Sequence, residues 1–187
     1  RNNLLVLLSL PLWVIGPLLI ATIIHSGLPG ARFFRLMVFL PAVLSPVVVG
    51  AYYNVVLRYN GPFNTLLKQV GLDGLRMQWL NDPNTALVTV VLILIWATLG
   101  IGVLIYLAAL AQVDPSLYDA AEIDGANWVL KQVHITLPET RRTIEFWTVI
   151  VLISSFTTVF PFIYTLSRGG PGYSTYLLDY YIYDAAF

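Results

Sequence analysis

The chain has 187 residues, of which 58% are hydrophobic and 11% are charged, and its formal net charge is zero. Soluble domains carry about 25% charged residues, so this composition excludes an ordinary soluble domain. The zero net charge argues against a nucleic-acid-binding surface, and the absence of cysteine excludes disulfides and thiolate metal sites.

Four apolar segments are long enough to cross a membrane, which takes about 20 residues. Asp, Glu, Lys and Arg are missing from residues 36–57, 83–113 and 146–167. We therefore predict an all-α transmembrane helix bundle with at least four spans in this chain. The predicted spans are about 4–24, 36–57, 86–110 and 146–167.

Two features are expected between the first and third spans. Pro41 and Pro46 lie inside span two and predict a kink there. Apolar residues then repeat at helical spacing in the 28-residue link 58–85 and stop before Gly71. This pattern predicts a short amphipathic helix over 63–70 that lies on the membrane surface.

A polar segment, residues 111–143, separates spans three and four. Asp114 and Pro115 predict the start of a helix, because the carboxylate can accept a bond from a free backbone N–H and proline suits the first helical position. Gly125 can adopt the left-handed conformation that ends such a helix. The first half of the segment is therefore expected to be a capped helix followed by a glycine turn.

The second half of this segment is expected to form another short helix at about 127–134. Thr136, Leu137, Pro138 and Glu139 then have the spacing of a capping box, which could start the fourth span. The local pattern predicts a helix, a glycine turn, a second helix and a break at proline. We call residues 114–138 the elbow.

The stretch from Tyr118 to Pro138 has the sequence YDAAEIDGANWVLKQVHITLP. It resembles the EAA loop of ABC importer permeases, whose pattern is E-A-A-x3-G-x9-I-x-L-P. The matching residues are Asp119, Ala120, Ala121, Gly125, Ile135, Leu137 and Pro138. Aspartate stands where the pattern has glutamate, which keeps the charge and shortens the side chain by one methylene. The resemblance implies that 111–143 is a cytoplasmic coupling loop, which docks through these residues on a separate ATP-hydrolysing subunit.

The resemblance extends to the carbohydrate-uptake branch of this family, and it covers essentially the whole chain. The motifs that carry it are Phe39-Leu40-Pro41, Trp79-Leu80-Asn81-Asp82-Pro83 and Gly169-Gly170-Pro171-Gly172. This branch takes up oligosaccharides and glycerol-3-phosphate-type compounds. Family members usually have six or more spans, so residues 1–187 are expected to be a single transmembrane permease domain that is incomplete at both ends.

Several expectations about chemistry and partners follow. The sequence contains no G-x-x-x-x-G-K-[ST] phosphate loop, so we expect a transport subunit that is not an enzyme and holds no cofactor. ATP and Mg²⁺ would bind to a partner. The resemblance implies two ATP-binding subunits, a second permease subunit, an external solute-binding protein and the lipid bilayer, with no nucleic acid. It also implies the cell membrane of a bacterium or archaeon.

Two alternatives to sugar import stay open. One is import of glycerol-3-phosphate or another small polar solute, and the other is a membrane docking or sensor subunit that transports nothing. Basic residues do not decide the orientation, because five lie on each side of the membrane. The resemblance alone places the elbow in the cytoplasm.

Polar residues near the middle of the spans are candidates for the solute path, because transported solutes usually bind at that depth. They are Trp96 and Thr98 in span three and Ser154, Ser155 and Thr158 in span four. Ser154 and Thr158 are four residues apart and share a helical face. Packing between membrane helices is the alternative role for such residues. The spans carry no charge, which favours a neutral solute over an ion relay.

Overall fold

The computed structural model describes residues 1–27 and 29–187, which form helices and contain no strand. The α-helices are α1 Asn2–Leu8, α2 Leu10–His25, α3 Ala31–Val43, α4 Pro46–Val56, α5 Pro62–Gln69, α6 Ala86–Leu110, α7 Pro115–Ile123, α8 Trp128–Lys131, α9 Leu137–Thr157, α10 Phe160–Leu166 and α11 Leu178–Ala186. A 3-10 turn, Asp73–Leu75, follows α5. A π-helix, Gln132–Thr136, connects α8 to α9.

Two helical units are long and apolar enough to cross a membrane. They are Asn2–His25, which combines α1 and α2, and Ala86–Leu110, which is α6. A 25-residue helix such as α6 extends about 38 Å at 1.5 Å per residue. This exceeds the hydrocarbon core of a bilayer, which is about 30 Å thick. Predicted spans one and three are therefore confirmed as helices of membrane-spanning length.

Predicted span two is a pair of helices that meet at a sharp angle. The axes of α3 and α4 differ by 97°. Pro46 lies in the first turn of α4, and Ser45 before it is extended, with ψ 137°. Proline disfavours the helical conformation in the preceding residue, so α3 cannot continue into α4. The kink predicted at Pro46 is confirmed, and its size turns the expected span into a bent pair, whereas α3 continues through Pro41 to Val43.

Predicted span four starts earlier than residue 146 and is also bent. One helical unit, Trp128–Thr157, meets α10 at an angle of 50°. Pro161 lies in the first turn of α10. It has no N–H to donate to the carbonyl of Thr157, and its ring crowds that turn, so the long helix ends there. The boundaries predicted from hydropathy, 146–167, miss both the early start and the break.

The central helix of the bundle is α6, which packs against α2, α3 and α9. At Gly100, α3 comes so close that a β-carbon would lie 2.5 Å from the carbonyl oxygen of Val38. Small residues allow such close approach of membrane helices. On the other side, Trp147 of α9 donates its indole N–H to the carbonyl of Trp13 on α2 at 3.0 Å. Spans one, two and four are thus held together around span three.

The 58–85 link is folded upon itself around one buried side chain. The predicted short helix is confirmed as α5, and Asn64 within it is fully buried. Its amide donates hydrogen bonds to the carbonyls of Tyr59 at 3.1 Å and Met77 at 2.9 Å. Its Oδ1 accepts a hydrogen bond from the Trp79 indole at 2.9 Å. Both ends of the link are therefore tied to α5.

Candidate functional sites

The first helix of the elbow, α7, begins as the sequence predicts. Asp114 accepts a hydrogen bond from the backbone N–H of Ser116 at 2.9 Å, and Pro115 is the first helical residue. The backbone hydrogen bond favours the ionised carboxylate and holds the pKa of Asp114 below its usual range. The predicted helix start is confirmed.

The same helix ends at a glycine turn. Gly125 has φ +75°, and a β-carbon there would meet nothing within 4 Å. The backbone N–H of Ala126 donates to the carbonyl of Ala121 at 2.8 Å, and the N–H of Gly125 donates to Glu122 at 3.0 Å. These bonds satisfy the last carbonyls of α7, as in a Schellman motif. Glycine is favoured here by its backbone conformation and not by lack of space.

The second half of the elbow differs from the prediction. Asn127 caps α8 by accepting from the N–H of Leu130 at 2.9 Å, but no break follows at Pro138. Thr136 is itself helical, with φ −59° and ψ −49°, and its side chain makes no capping bond. The π-helix shifts the hydrogen-bond register directly before Pro138, whose missing N–H then falls in the first turn of α9. The predicted capping box and proline break are therefore wrong.

Two side-chain contacts connect the halves of the elbow. The hydroxyls of Tyr118 on α7 and Thr136 on the π-helix form a hydrogen bond of 3.0 Å. The ammonium of Lys131 donates to a carboxylate oxygen of Glu122 at 2.8 Å. The Thr136 carbonyl also accepts a 2.6 Å bond from the Thr140 hydroxyl in α9. The elbow is thereby attached to the long helix of span four.

The seven residues that match the EAA pattern differ in exposure. The exposed ones are Asp119, Ala120, Gly125, Leu137 and Pro138, and the half-buried ones are Ala121 and Ile135. Their role in coupling stays a prediction. What the sequence pattern did not reveal is that large apolar side chains of the elbow also face outward. They are Ile123, Trp128, Val129, Leu130 and Val133, of which Ile123 is 87% exposed.

A cavity of about 210 Å³ lies between α2, α6, α9 and α10. Three of the five predicted solute-path residues line it, namely Thr98, Ser154 and Thr158. The hydroxyl of Thr98 donates to the Leu94 carbonyl at 2.9 Å, and that of Thr158 donates to the Ser154 carbonyl at 3.0 Å. Both hydroxyl oxygens therefore keep lone pairs that can accept hydrogen bonds from a ligand.

Aromatic side chains that the sequence reasoning missed complete this cavity. Trp13 of span one, Trp147 and Phe162 line it, and none of the described lining residues is charged. The indole N–H of Trp13 is buried and has no hydrogen-bond partner among the described residues. Tryptophan in the middle of predicted span one, away from its usual place at the membrane interface, is a signal that could have identified Trp13.

The other two predicted path residues lie elsewhere. Trp96 contacts Tyr53 edge to face, with ring centroids 5.4 Å apart, beside a second cavity of about 700 Å³ between α4, α5 and α6. Ser155 is buried and donates its hydroxyl to the Leu152 carbonyl at 2.7 Å. Within residues 1–27 and 29–187, no three His, Asp or Glu side chains come together as a metal site.

Comparison with known proteins adds independent information. The family described as "Binding-protein-dependent transport system inner membrane component" matches residues 4–185. A probable ABC transporter permease protein of Bacillus subtilis, YurN, is 33% identical over 100% of this chain and 65% of its own length. The lactose transport system permease protein LacF of Rhizobium radiobacter is 32% identical over 96% of this chain and 61% of its own length.

A similar structure is also known. A crystal structure of a bacterial ABC transporter involved in the import of the acidic polysaccharide alginate has a TM-score of 0.87 and 30% identity. The match covers 100% of this chain and 66% of that chain. This likeness confirms the predicted all-α transmembrane bundle. The chain spans 61% and 65% of the length of the two relatives.

Proposed function

Because the chain belongs to the family of binding-protein-dependent transport system inner membrane components, we propose that it is a permease subunit of an ATP-driven importer. It forms part of the solute path in the cell membrane of a bacterium or archaeon. Its cargo class is a sugar or oligosaccharide. The elbow couples this path to a separate ATPase subunit on the cytoplasmic side.

One observation carries this proposal, namely that the elbow and the cavity share a helix. The helical unit Trp128–Thr157 begins in the elbow and ends at the cavity, where Ser154 projects from it. A helix is stiff along its axis, so a displacement at one end reaches the other. Transport against a gradient requires two states with different solute affinity, and ATP binding on another subunit can bias them through this helix.

The partners follow from the surfaces of the elbow and from the family. The outward apolar side chains around Ile123 and Trp128 suit a protein partner, and we assign this partner as the ATP-binding subunit. ATP and Mg²⁺ belong to that subunit. A second permease subunit would complete the path, and an external solute-binding protein would deliver the cargo, as the family's description implies.

The chemistry of the cavity supports a neutral sugar. Hydroxyls of Thr98 and Ser154 can exchange hydrogen bonds with sugar hydroxyls, and the Trp13 and Trp147 rings offer apolar faces for sugar C–H groups. The similar LacF is named a lactose permease, although the alginate importer handles an acidic polymer. The uncharged lining favours a neutral cargo over a glycerol-phosphate-type anion, which would need a cation or a helix N-terminus.

The proposal is tested by co-expressing the full-length protein with its partner proteins and purifying the resulting complex. We expect an ATPase to co-purify, and its rate to rise when solute-loaded binding protein is added. A cysteine at Ala121, in a chain that otherwise lacks cysteine, should cross-link to the ATPase. Co-purification without any stimulation would indicate the docking alternative, and labelling of this cysteine by an impermeant reagent from outside intact cells would overturn the orientation.

Uptake measurements on variants of the cavity residues test whether the cavity is part of the solute path. Ser154→Trp combined with Thr158→Trp should fill it and reduce uptake, while the amount of protein in the membrane stays normal. Thr157→Trp is the matched control, because Thr157 is adjacent in sequence but does not line the cavity. Normal uptake by the double variant would place the path elsewhere. A panel of neutral sugars and glycerol-3-phosphate decides between the two cargo classes.

A further inference from the structure

The π-helix in the elbow matches the spacing of two contacts across it. Tyr118 and Glu122 are four residues apart on α7 and share one face of an α-helix. Their partners, Thr136 and Lys131, are five residues apart. A π-helix bonds residue i to i+5, so it adds one residue to the turn and allows positions five apart to share a face.

An uninterrupted α-helix would break this match. With regular i, i+4 geometry, Ile135 would share the face of Lys131, and the hydroxyl of Thr136 would turn away from Tyr118. The π-helix therefore selects a hydroxyl, and not an apolar side chain, for contact with α7. Such single π turns are rare and are frequently found at functional sites.

The two contacts differ in burial. Thr136 is 2% exposed. Its backbone carbonyl accepts a hydrogen bond from the hydroxyl of Thr140 in α9, a residue that is 1% exposed. The Glu122 side chain is 77% exposed. The Tyr118–Thr136 bond is part-buried and the Lys131–Glu122 bond is exposed. Groups that are shielded from water lose more when their hydrogen bond breaks, so the connection through Tyr118 is the more persistent of the two.

We propose that Tyr118 and Thr136 are positioning residues for energy coupling. Their hydrogen bond fixes α7 to the long helix of span four in the register set by the π-helix, and it carries most of the displacement of α7 into α9. This inference rests on the proposed transport function. It assigns the mechanical connection to the hydroxyls of Tyr118 and Thr136. Neither residue occupies a fixed position of the EAA pattern.

A structural test does not depend on transport. Cysteines at Ile123 and Val133, both exposed, carry spin labels, and double electron–electron resonance measures their distance distribution in the solubilised full-length permease without the ATPase subunit. Tyr118→Phe and Thr136→Val should each enlarge a second, displaced population about fivefold, the factor that corresponds to ~1 kcal/mol for one net hydrogen bond. Thr136→Ser keeps the hydroxyl and should retain the wild-type distribution.

Two further variants make this test specific. Tyr118→Phe combined with Thr136→Val should equal either single variant, because both remove the same bond. Tyr181→Phe removes a hydroxyl from an exposed tyrosine on α11 and should change nothing. An unchanged distribution in Tyr118→Phe, or additive effects in the double variant, would overturn the proposal.

The functional test measures ATP hydrolysed per solute transported in proteoliposomes, with the sugar identified by the uptake panel. Tyr118→Phe should raise this ratio about fivefold without reducing assembly, and Thr136→Ser should restore the wild-type ratio. If wild type transports and Tyr118→Phe has the same ratio, this inference fails alone. If the wild-type complex does not transport any solute of the panel, the proposed function fails with it.

Discussion

The 58–85 link and the elbow are two polar segments of similar length, each joining two spans, and they are built in opposite ways. The link has its own small core, in which Asn64 is fully buried and bonds to Tyr59, Met77 and Trp79. In the elbow, neither α7 nor α8 contains a buried residue. Both segments also expose apolar side chains, Leu66 and Val70 in the link and Ile123 and Val129 in the elbow, so the difference between them is the buried Asn64 core, which the elbow lacks.

The difference indicates which segment is built to receive a partner. Polar groups that bond within their own segment need no other molecule, as in the link around Asn64. Apolar groups exposed as a patch, such as Ile123 and Val129, gain free energy when another surface covers them. The elbow nevertheless keeps a defined shape, because Asp114, Gly125 and the Tyr118–Thr136 bond fix its backbone.

The largest effect is expected from removing the core of the link. Asn64→Leu leaves the Trp79 indole and the carbonyls of Tyr59 and Met77 without partners. Each buried unpaired group costs about 1–3 kcal/mol, so the link should lose at least ~3 kcal/mol of local stability. Trypsin should then cleave within the link at Arg58, Lys68 or Arg76 much faster than in wild type.

Asn60→Leu is the matched control, because Asn60 is an exposed residue of the same link. It should leave the cleavage rate unchanged. Equal cleavage of wild type and Asn64→Leu would mean that the link has no core of its own, and the contrast with the elbow would disappear.

The features of these segments that sequence could predict are those that one residue determines locally. A carboxylate before proline specifies the start at Asp114, and the turn at Gly125 needs only one glycine with positive φ. The 97° bend was predicted as a kink from Pro46, but its angle depends on how α4 packs against α10. Pro161 was overlooked, because an apolar run hides a break when hydropathy alone is considered.

Features that depend on distant partners were not predictable. The π-helix is recognisable only when Lys131 and Thr136 are seen against α7. Likewise, hydropathy located Thr98 and Ser154 at mid-depth but did not separate them from Ser155, because a single sequence does not tell which face of a helix is covered by its neighbours.

The second-largest effect is expected from a substitution in the glycine turn of the elbow. Gly125→Val forces a β-branched residue to positive φ, which costs on the order of 1–3 kcal/mol. No atom within 4 Å obstructs the new side chain, so the cost is confined to the backbone of the elbow. We expect reduced uptake with normal membrane abundance, and ATP hydrolysis that no longer responds to the solute-loaded binding protein.

A glycine of the link provides the comparison for this variant. A β-carbon at Gly74 also meets nothing within 4 Å, but Gly74 does not have a positive φ. Gly74→Val should therefore leave uptake and ATPase unchanged. If Gly125→Val transports normally, coupling does not depend on this turn, and the mechanical role of the elbow must be abandoned.

The third-largest effect is expected from a substitution on the exposed apolar surface of the elbow. Ile123→Ser changes a side chain that is 87% exposed, and exposed substitutions usually alter stability by less than about 0.5 kcal/mol. If the partner covers this side chain, however, affinity for the ATPase subunit should fall at least about tenfold, because burial of isoleucine is worth ~1.5–3 kcal/mol. Titration of the solubilised permease with the purified ATPase subunit measures it. Val70→Ser, on the exposed surface of the link, should bind the ATPase subunit with wild-type affinity. If Ile123→Ser also bound it with wild-type affinity, the face around Ile123 would not be the docking surface.

The smallest effect is expected from the exposed ion pair of the elbow. The hydrogen bond from Lys131, together with its positive charge, holds the pKa of Glu122 below its usual value, which is about 4.3. A carboxylate with a lowered pKa stabilises the folded elbow fully above the pKa of the free side chain, and this stabilisation is lost as pH falls through the lower folded-state pKa. A spin label on a cysteine at Ile123 should therefore become more mobile as the pH falls below the ordinary glutamate pKa, and at high salt near neutral pH.

Glu122→Gln separates this ion pair from the other acidic group on α7. Asp114 also has a lowered pKa and contributes its own acid transition, so the difference between wild type and variant isolates Glu122. In Glu122→Gln the label should already be slightly more mobile at pH 7, respond little to salt and lack one acid step. Glu145→Gln removes the comparable Arg141–Glu145 pair outside the elbow and should behave like wild type. Because exposed pairs contribute little, coupling should remain nearly normal in Glu122→Gln. If Glu122→Gln raised the ATP hydrolysed per solute as much as Tyr118→Phe, the ion pair would contribute as much as the Tyr118–Thr136 bond to holding the elbow to span four.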